Sequence, residues 1–312
     1  MKNTLHAPER CVTLYLRVWC SCRRPGGGVF AHRTDSEGVA VPRRALVGRD
    51  RTSPPSAGLK ALAVLESIAV EQPSGVTEVS RKLGLPKSTV QRILEDLASD
   101  GWVKPDAGDG SGHRRWSTTG RVVAMGLAAA EGDDLLVLAP PRLAALRDET
   151  EETVHLVLRT GDELFIALCM DSPQPVRTHV EVGARSPFHA TSSGIACLAA
   201  LPDDDVSRIL EDGLPRFTDT TPVTQAQVWA EIRAVRQRGY AVNPDGWWRS
   251  DVFAVAAAVT DGSGGVVAAV TVSAPSSRFT DSTAEDLGER VAAVAGDLSE
   301  GLRLGTGSAG HA

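Results

Sequence analysis

No run of 18 apolar residues occurs anywhere in the 312-residue chain, so no membrane-spanning helix is expected. The N-terminus lacks a basic region followed by a continuous apolar stretch, which argues against a secretory signal. Cysteine is scarce. Cys11, Cys20, Cys22, Cys169 and Cys197 are odd in number and show no metal-type spacing beyond Cys20-Ser21-Cys22. That usage fits a reducing cytoplasm and not a disulfide scaffold. A Gly-x-Ser-x-Gly elbow, a metal-spaced histidine pair and a phosphate loop are also missing. The commonest catalytic signatures are thereby excluded, and no cofactor is expected.

An overall basic balance is missing too, since the net charge is −6. Split along the chain, however, Lys and Arg outnumber Asp and Glu by 10 to 4 over residues 1–56 and equal them at 8 over residues 57–120. Residues 121–312 hold 15 cations against 27 acids, so the acid is concentrated in the second half. A local patch, not a basic protein, is what phosphate binding requires.

Residues 1–56 mix Arg, Gly, Pro and Ser without a sustained period and are expected to be a disordered basic tail, or an upstream extension from a misplaced start. A zinc site from Cys20, Cys22 and His32 lacks a fourth spaced ligand. From Gly58, the spacing of Leu59, Leu62, Leu65 and Ile68 predicts a first helix, ended by Pro73-Ser74-Gly75. Thr77 is the expected cap of a second helix, and Gly84 its left-handed terminus. Pro86 opens a third, whose Val90, Ile93, Leu94 and Leu97 form a buried stripe. The opposite face carries Lys87, Ser88, Thr89, Gln91 and Arg92, groups suited to phosphates and base edges. Two strands around a Gly-rich loop, with Arg114 and Arg115 on the returning strand, predict a wing. This is a reader of double-stranded DNA over residues 57–118, with Thr77, the five polar residues of the third helix and the two wing arginines as candidate contacts.

Residues 119–139 are expected to form a linker helix, small and apolar on more than one side and suited to pairing with a second copy. A further helical stretch is expected over Pro141–Glu149. Over 140–305, alternation predicts a hairpin from Thr153–Thr160 and Glu163–Met170, a strand at Val176–Gly183, and strands at Val252–Val259 and Val266–Ser273. Helices are expected after Thr191, after Pro202, after the Thr224/Gln227 capping box and at the C-terminus, before a short tail at 306–312. The mixture gives an α+β class.

The runs LGLPKSTVQRILEDLASDGWV, GARSPFHATSSGIACLAALP at 183–202 and RQRGYAVN at 236–243 resemble the IclR family of bacterial transcriptional regulators over about residues 58–304. The resemblance implies a winged helix-turn-helix, a linker helix and a GAF-like effector-binding domain. It also implies a dimer, or a dimer of dimers, on an operator, commonly as a cytoplasmic repressor answering to small organic or aromatic acids. From the residues alone, the helix after Thr191 offers unpaired N–H groups to an anion, with the hydroxyls of Thr191, Ser192 and Ser193 beside them and Gly194 allowing close approach. Simple N-capping by Thr191 is the alternative. His189 borders the same segment, and Asn243, Asp251, Ala254, Thr271 and Ser273 are the candidates for the other pocket wall. Here the chain departs from the family pattern: Asn243 replaces an acid, Asp251 a glycine and Ala254 a cysteine. Trp247 and Trp248 enter a lengthened loop, as a less polar pocket wall or as a subunit contact. Two other readings stay open: an enzyme using Cys169 or Cys197 beside His189, and a regulator whose sensor no longer answers to a ligand.

Overall fold

The computed structural model describes residues 56–106, 114–131 and 133–308. Residues 56–133 belong to one compact unit and residues 134–308 to another. The expected basic tail, its cysteines and the tip of the wing at 107–113 lie outside the described residues.

The first unit begins with α1 (Ala57–Val70), capped by Ser56, whose hydroxyl accepts the Leu59 N–H. Then come β1 (Ser74–Gly75), α2 (Val76–Leu83), α3 (Lys87–Ser99), β2 (Val103–Pro105), β3 (Arg115–Thr118) and α4 (Gly120–Glu131). The stripe read from the sequence is the core: Val90, Ile93 and Leu94 of α3 close over Val64, Ile68, Val79, Val103 and Trp116. Gly84 ends α2 at φ 66°, left-handed as expected, because no Cβ opposes that angle. Two features differ from expectation. Gly75, not Thr77, caps α2; the Glu78 carboxylate reaches back to the Gly75 N–H at 2.9 Å, so the helix starts before Thr77 and leaves it exposed in the first turn. The wing also has a third strand, since Ser74 and Gly75 pair with Trp116 and Arg115, giving the order β1-β3-β2.

The expected linker helix divides: α4 ends at Glu131 and α5 (Asp134–Thr150) begins seven residues before Pro141. Pro140 and Pro141 therefore lie inside α5 and do not start it. Each removes a backbone donor. Burial of Leu135, Ala139, Leu143 and Leu146 offsets that cost, each leucine contributing roughly 1.5–3 kcal/mol.

In the second unit, β4 (Thr153–Thr160), β5 (Glu163–Met170), β6 (Ala241–Asn243), β7 (Val252–Thr260) and β8 (Val266–Pro275) form one antiparallel sheet in the order β5-β4-β8-β7-β6. Its helices are α6 (Ser192–Ala199), α7 (Asp203–Leu210), α8 (Gln225–Arg238) and α9 (Asp281–Ser308). Helices α5 and α9 cover one face, where Leu143, Leu146, Val291 and Leu298 meet Val154, Leu156, Phe253, Val255, Val270 and Val272. Helix α6 packs on β7 and β8 from the other side. Helix α9 runs three residues into the expected C-terminal tail.

The strand expected at Val176–Gly183 is absent. Its alternation is real, but the open edge of β5 is occupied further along, where Gly183 N–H donates to Ile166 and Ser186 N–H to Leu164. Thr178 instead ties the segment down from within: its carbonyl accepts from Thr153 Oγ1, and its hydroxyl bonds the Ser273 carbonyl.

Candidate nucleic-acid interface and ligand site

Helix α3 is held by its apolar stripe, which fixes the direction of the opposite face. Lys87, Ser88 and Arg92 are exposed there, and Thr89 and Gln91 are half-buried at its margins. Neither Lys87 nor Arg92 has a carboxylate within ion-pair distance among the described residues. Gln91 donates to Glu95 at 2.5 Å.

The two wing arginines have different surroundings. Arg114 is exposed, with its guanidinium 5.6 Å from the Trp116 ring centre. Arg115 turns inward, pairing with Glu78 at 3.1 Å and donating to the Pro73 carbonyl. The Gly75 N–H, and then Arg115, hold the Glu78 carboxyl below its ordinary value.

In the second unit, strand register assembles most of the candidate ligand residues. Asn243, Ala254, Ser273 and Thr153 are successive partners across the sheet. Two residues along lies a second row: Ala241, Ala256, Thr271, His155 and Cys169. Both rows share the face opposite α5 and α9. Asn243 Oδ1 accepts the Trp247 N–H at 3.2 Å, and Ser273 Oγ lies 2.8 Å from Thr178 Oγ1. Asp251 does not join them; it is exposed just before β7 at φ 60°, an angle that suits glycine far better. The departure from a family glycine is thus a backbone cost at an exposed corner.

At the start of α6, Thr191 Oγ1 accepts the Gly194 N–H at 3.0 Å, so the capping bond is made. Ser192 and Ser193, both buried, supply the helix's first two N–H groups, which have no intrahelical acceptor. Gly194 has a different constraint from the expected one: a Cβ there would lie 2.1 Å from the Phe188 carbonyl oxygen, so the chain itself fills that space. His189 donates through Nε2–H to the Pro215 carbonyl at 2.9 Å, with burial lowering its pKa. Trp247 is buried within the unit and its carbonyl accepts from Thr221, while Trp248 is half-buried under Arg249.

Cys197 is wholly buried, and burial pushes its thiol up to about 12. With its thiol held protonated by burial, Cys197 does not supply the thiolate half of a thiolate–imidazole couple. Sequence reading missed Thr153 and His155. The signal was available in the strand alternation, which sets both opposite the apolar Val154 and Leu156.

Profile comparison matches residues 59–107 to the IclR helix-turn-helix domain and residues 127–300 to the bacterial transcriptional regulator IclR C-terminal family. The chain belongs to the IclR family. It is therefore a DNA-binding transcriptional regulator. It is 32% identical over 265 residues to the HTH-type transcriptional repressor AllR of Escherichia coli K12, covering 82% of this chain and 96% of that one. A putative IclR regulator from Silicibacter sp. TM1040 superposes with a TM-score of 0.67 at 27% identity, over 80% of this chain and 96% of that one. An IclR homologue from Microbacterium hydrocarbonoxydans, solved in complex with 4-hydroxybenzoate, shares the fold at a TM-score of 0.68 and 21% identity, over 80% of this chain and all of its own. No described helix of this IclR-family chain is long and apolar enough to cross a membrane.

Proposed function

We propose that this IclR-family chain is a dimeric repressor whose hold on its operator is controlled by a small organic or aromatic acid. The exposed, unpaired cations Lys87 and Arg92 on α3 carry the DNA half of this reading, because a helix whose other face is core can present them only outward. Ser88, Thr89, Gln91, Thr77 and Arg114 complete the contact surface. Arg115 belongs to it chiefly by holding the wing. The name of the Escherichia coli relative supports repression as the sign of control.

The acid's carboxylate is assigned to the N–H groups and hydroxyls of Ser192 and Ser193, where the helix dipole favours negative charge. Asn243, Ala254, Thr271 and Ser273 line the sheet side. Exposed Val123 and Met125 on α4, more than half accessible each, support pairing with a second copy.

Selection of bound DNA from random sequence, with and without a panel of small acids, tests both halves. A two-fold related site should be enriched, and at least one acid should release it. Arg92→Ala should weaken binding to that site by about 1–3 kcal/mol and relax one base position. Ser193→Trp should leave DNA affinity intact while abolishing release. Failure to enrich any sequence would refute the reader assignment. A second reading, a sensor that only assembles subunits, is favoured by the internal bonds of Asn243, Ser273 and His189. It predicts enrichment that no acid disturbs.

A further inference from the structure

Two polar atoms on the sheet's α6-side face have no hydrogen-bond partner: His155 Nε2 and Thr271 Oγ1. The residues are 3% and 7% exposed, so water outside the fold does not satisfy them. They are not scattered. His155 on β4 and Thr271 on β8 are direct register partners, and Thr271 lies two residues from Ser273 on the same face. Their row continues on one side into Ala256 and Ala241, which offer no polar atom, and on the other into Cys169, whose thiol is turned to Asp171 at 3.6 Å. Buried polar atoms are usually partnered; seven among the described residues have no hydrogen-bond partner, and these two are register partners on one small-residue surface, where a single bound group would complete both.

The occupant's chemistry follows from the donors and acceptors. Burial pushes His155 down to about 4, with Asp171 opposing and His179 and Arg249 adding to the effect, so the ring is neutral near pH 7. Only Nε2 of the His155 ring is orphaned, so the neutral imidazole offers one donor or one acceptor there according to its tautomer, and the threonine hydroxyl can meet a partner in either sense. Such a pair supplies no charge to balance a carboxylate. It matches a group that donates and accepts at once.

We propose that His155 and Thr271 form a hydroxyl-recognition subsite of the effector pocket, so that the effector is a hydroxylated acid. The inference rests on the pocket reading above, which places the carboxylate at α6. His155 lies outside the motifs that carry the family resemblance, so this assignment comes from strand register and hydrogen-bond accounting alone.

Matched pairs of acids provide the test: glycolate against acetate, 3-hydroxybutyrate against butyrate, and 4-hydroxybenzoate against benzoate. Binding to the full chain is measured by calorimetry for wild type, His155→Leu, Thr271→Val and Ser193→Trp. At least one hydroxylated acid should bind wild type about tenfold more tightly than its partner, the size of one net hydrogen bond. Both subsite variants should lose that preference yet still bind the acid. Because the atoms are orphaned without ligand, the near-isosteric Thr271→Val should melt no lower than wild type when ligand-free. A purely structural threonine would melt lower.

Acids that bind without preference, as when the pair holds only a buried water, would overturn the inference and leave the pocket reading standing. A preference that survives Thr271→Val would overturn it as well, and that variant decides the matter should His155→Leu fail to fold. If no acid binds wild type, or if Ser193→Trp still binds, the pocket reading fails and this inference fails with it.

Discussion

Gly194→Ala sets two known effects against each other, and the structure says which wins. In an unobstructed helix interior the change should stabilise by about 0.8–1.0 kcal/mol. At Gly194 the new Cβ would lie 2.1 Å from the Phe188 oxygen and 2.5 Å from its carbonyl carbon and Cα. Ordinary carbon contact needs about 3.5–4.0 Å, so backbone must retreat by roughly 1 Å or more. That backbone is not loose: Phe188 and Ala190 are buried, and His189 between them is bonded to Pro215. Overpacking typically costs about 1–3 kcal/mol, and an approach this close to buried backbone belongs in the upper part of that range, so it outweighs the helical gain by roughly 1–2 kcal/mol. The variant should melt about 2–8 °C below wild type in a thermal scan. Gly296→Ala is the control, since it is an exposed position inside α9 with nothing within 4 Å of an added Cβ. It should melt higher by about 2–4 °C. A Gly194→Ala protein as stable as wild type, alongside a normal control, would refute the claim that Phe188 explains this glycine.

The wing arginines should separate in assay. Arg114→Ala should reduce the slope of log affinity against log salt by about 1, whereas Arg115→Ala should lower the stability of the reader in urea melts, because it removes the tie from β3 to Glu78 and Pro73. Equal effects on the salt slope would contradict the division. Glu78→Gln should cost stability at neutral pH and progressively less in acid. Its folded pKa is depressed below the ordinary 4.5, first by the Gly75 N–H and then by Arg115. The carboxylate's contribution is therefore present above that value and lost as pH falls through the folded one. A wild-type advantage unchanged between pH 7 and strongly acid conditions would contradict this account.

Much of the fold was legible where local chemistry and tertiary packing agree. The hairpin β4–β5 has the bounds that alternation and Gly161-Asp162 predict, and Thr224 with Gln227 makes the expected capping box. Legibility failed where partners are remote. Two residues suffice for β1, and nothing local marks Ser74 and Gly75 as partners of Trp116 and Arg115. Val176–Gly183 alternates like a strand, yet whether a strand forms depends on which edge is free. Pro141 reads as a helix start because the burial that outweighs the two prolines is not visible locally. The candidate ligand site was half legible. The α6 terminus has a local signature; His155 lies in a strand that reads as ordinary alternation, and only register reveals it beside Thr271.

The charge of the reader carries the last step. Residues 57–120 are neutral overall, yet Lys82 is paired with Glu71 and Arg115 with Glu78, while Arg121 just beyond pairs with Asp100. These acids neutralise cations away from α3, while Lys87, Arg92 and Arg114 have no ion pair among the described residues. Neutrality is therefore compatible with a positive binding face, and a count of cations overstates the number of phosphate contacts. If each of two subunits brings these three to the backbone, about six phosphates are neutralised and log affinity should fall against log salt with a slope of about −5. If Arg92 reads a base instead, the slope should be nearer −4, with the same residue now setting sequence preference. A measured slope near −10 would mean that cations beyond these three contribute, either from residues 1–55, in which case truncation restores the smaller value, or from Lys60, Arg81 and Lys104 of the reader. A steep slope that survives both the truncation and alanine at Lys87, Arg92 and Arg114 would refute the assignment of the interface to this face.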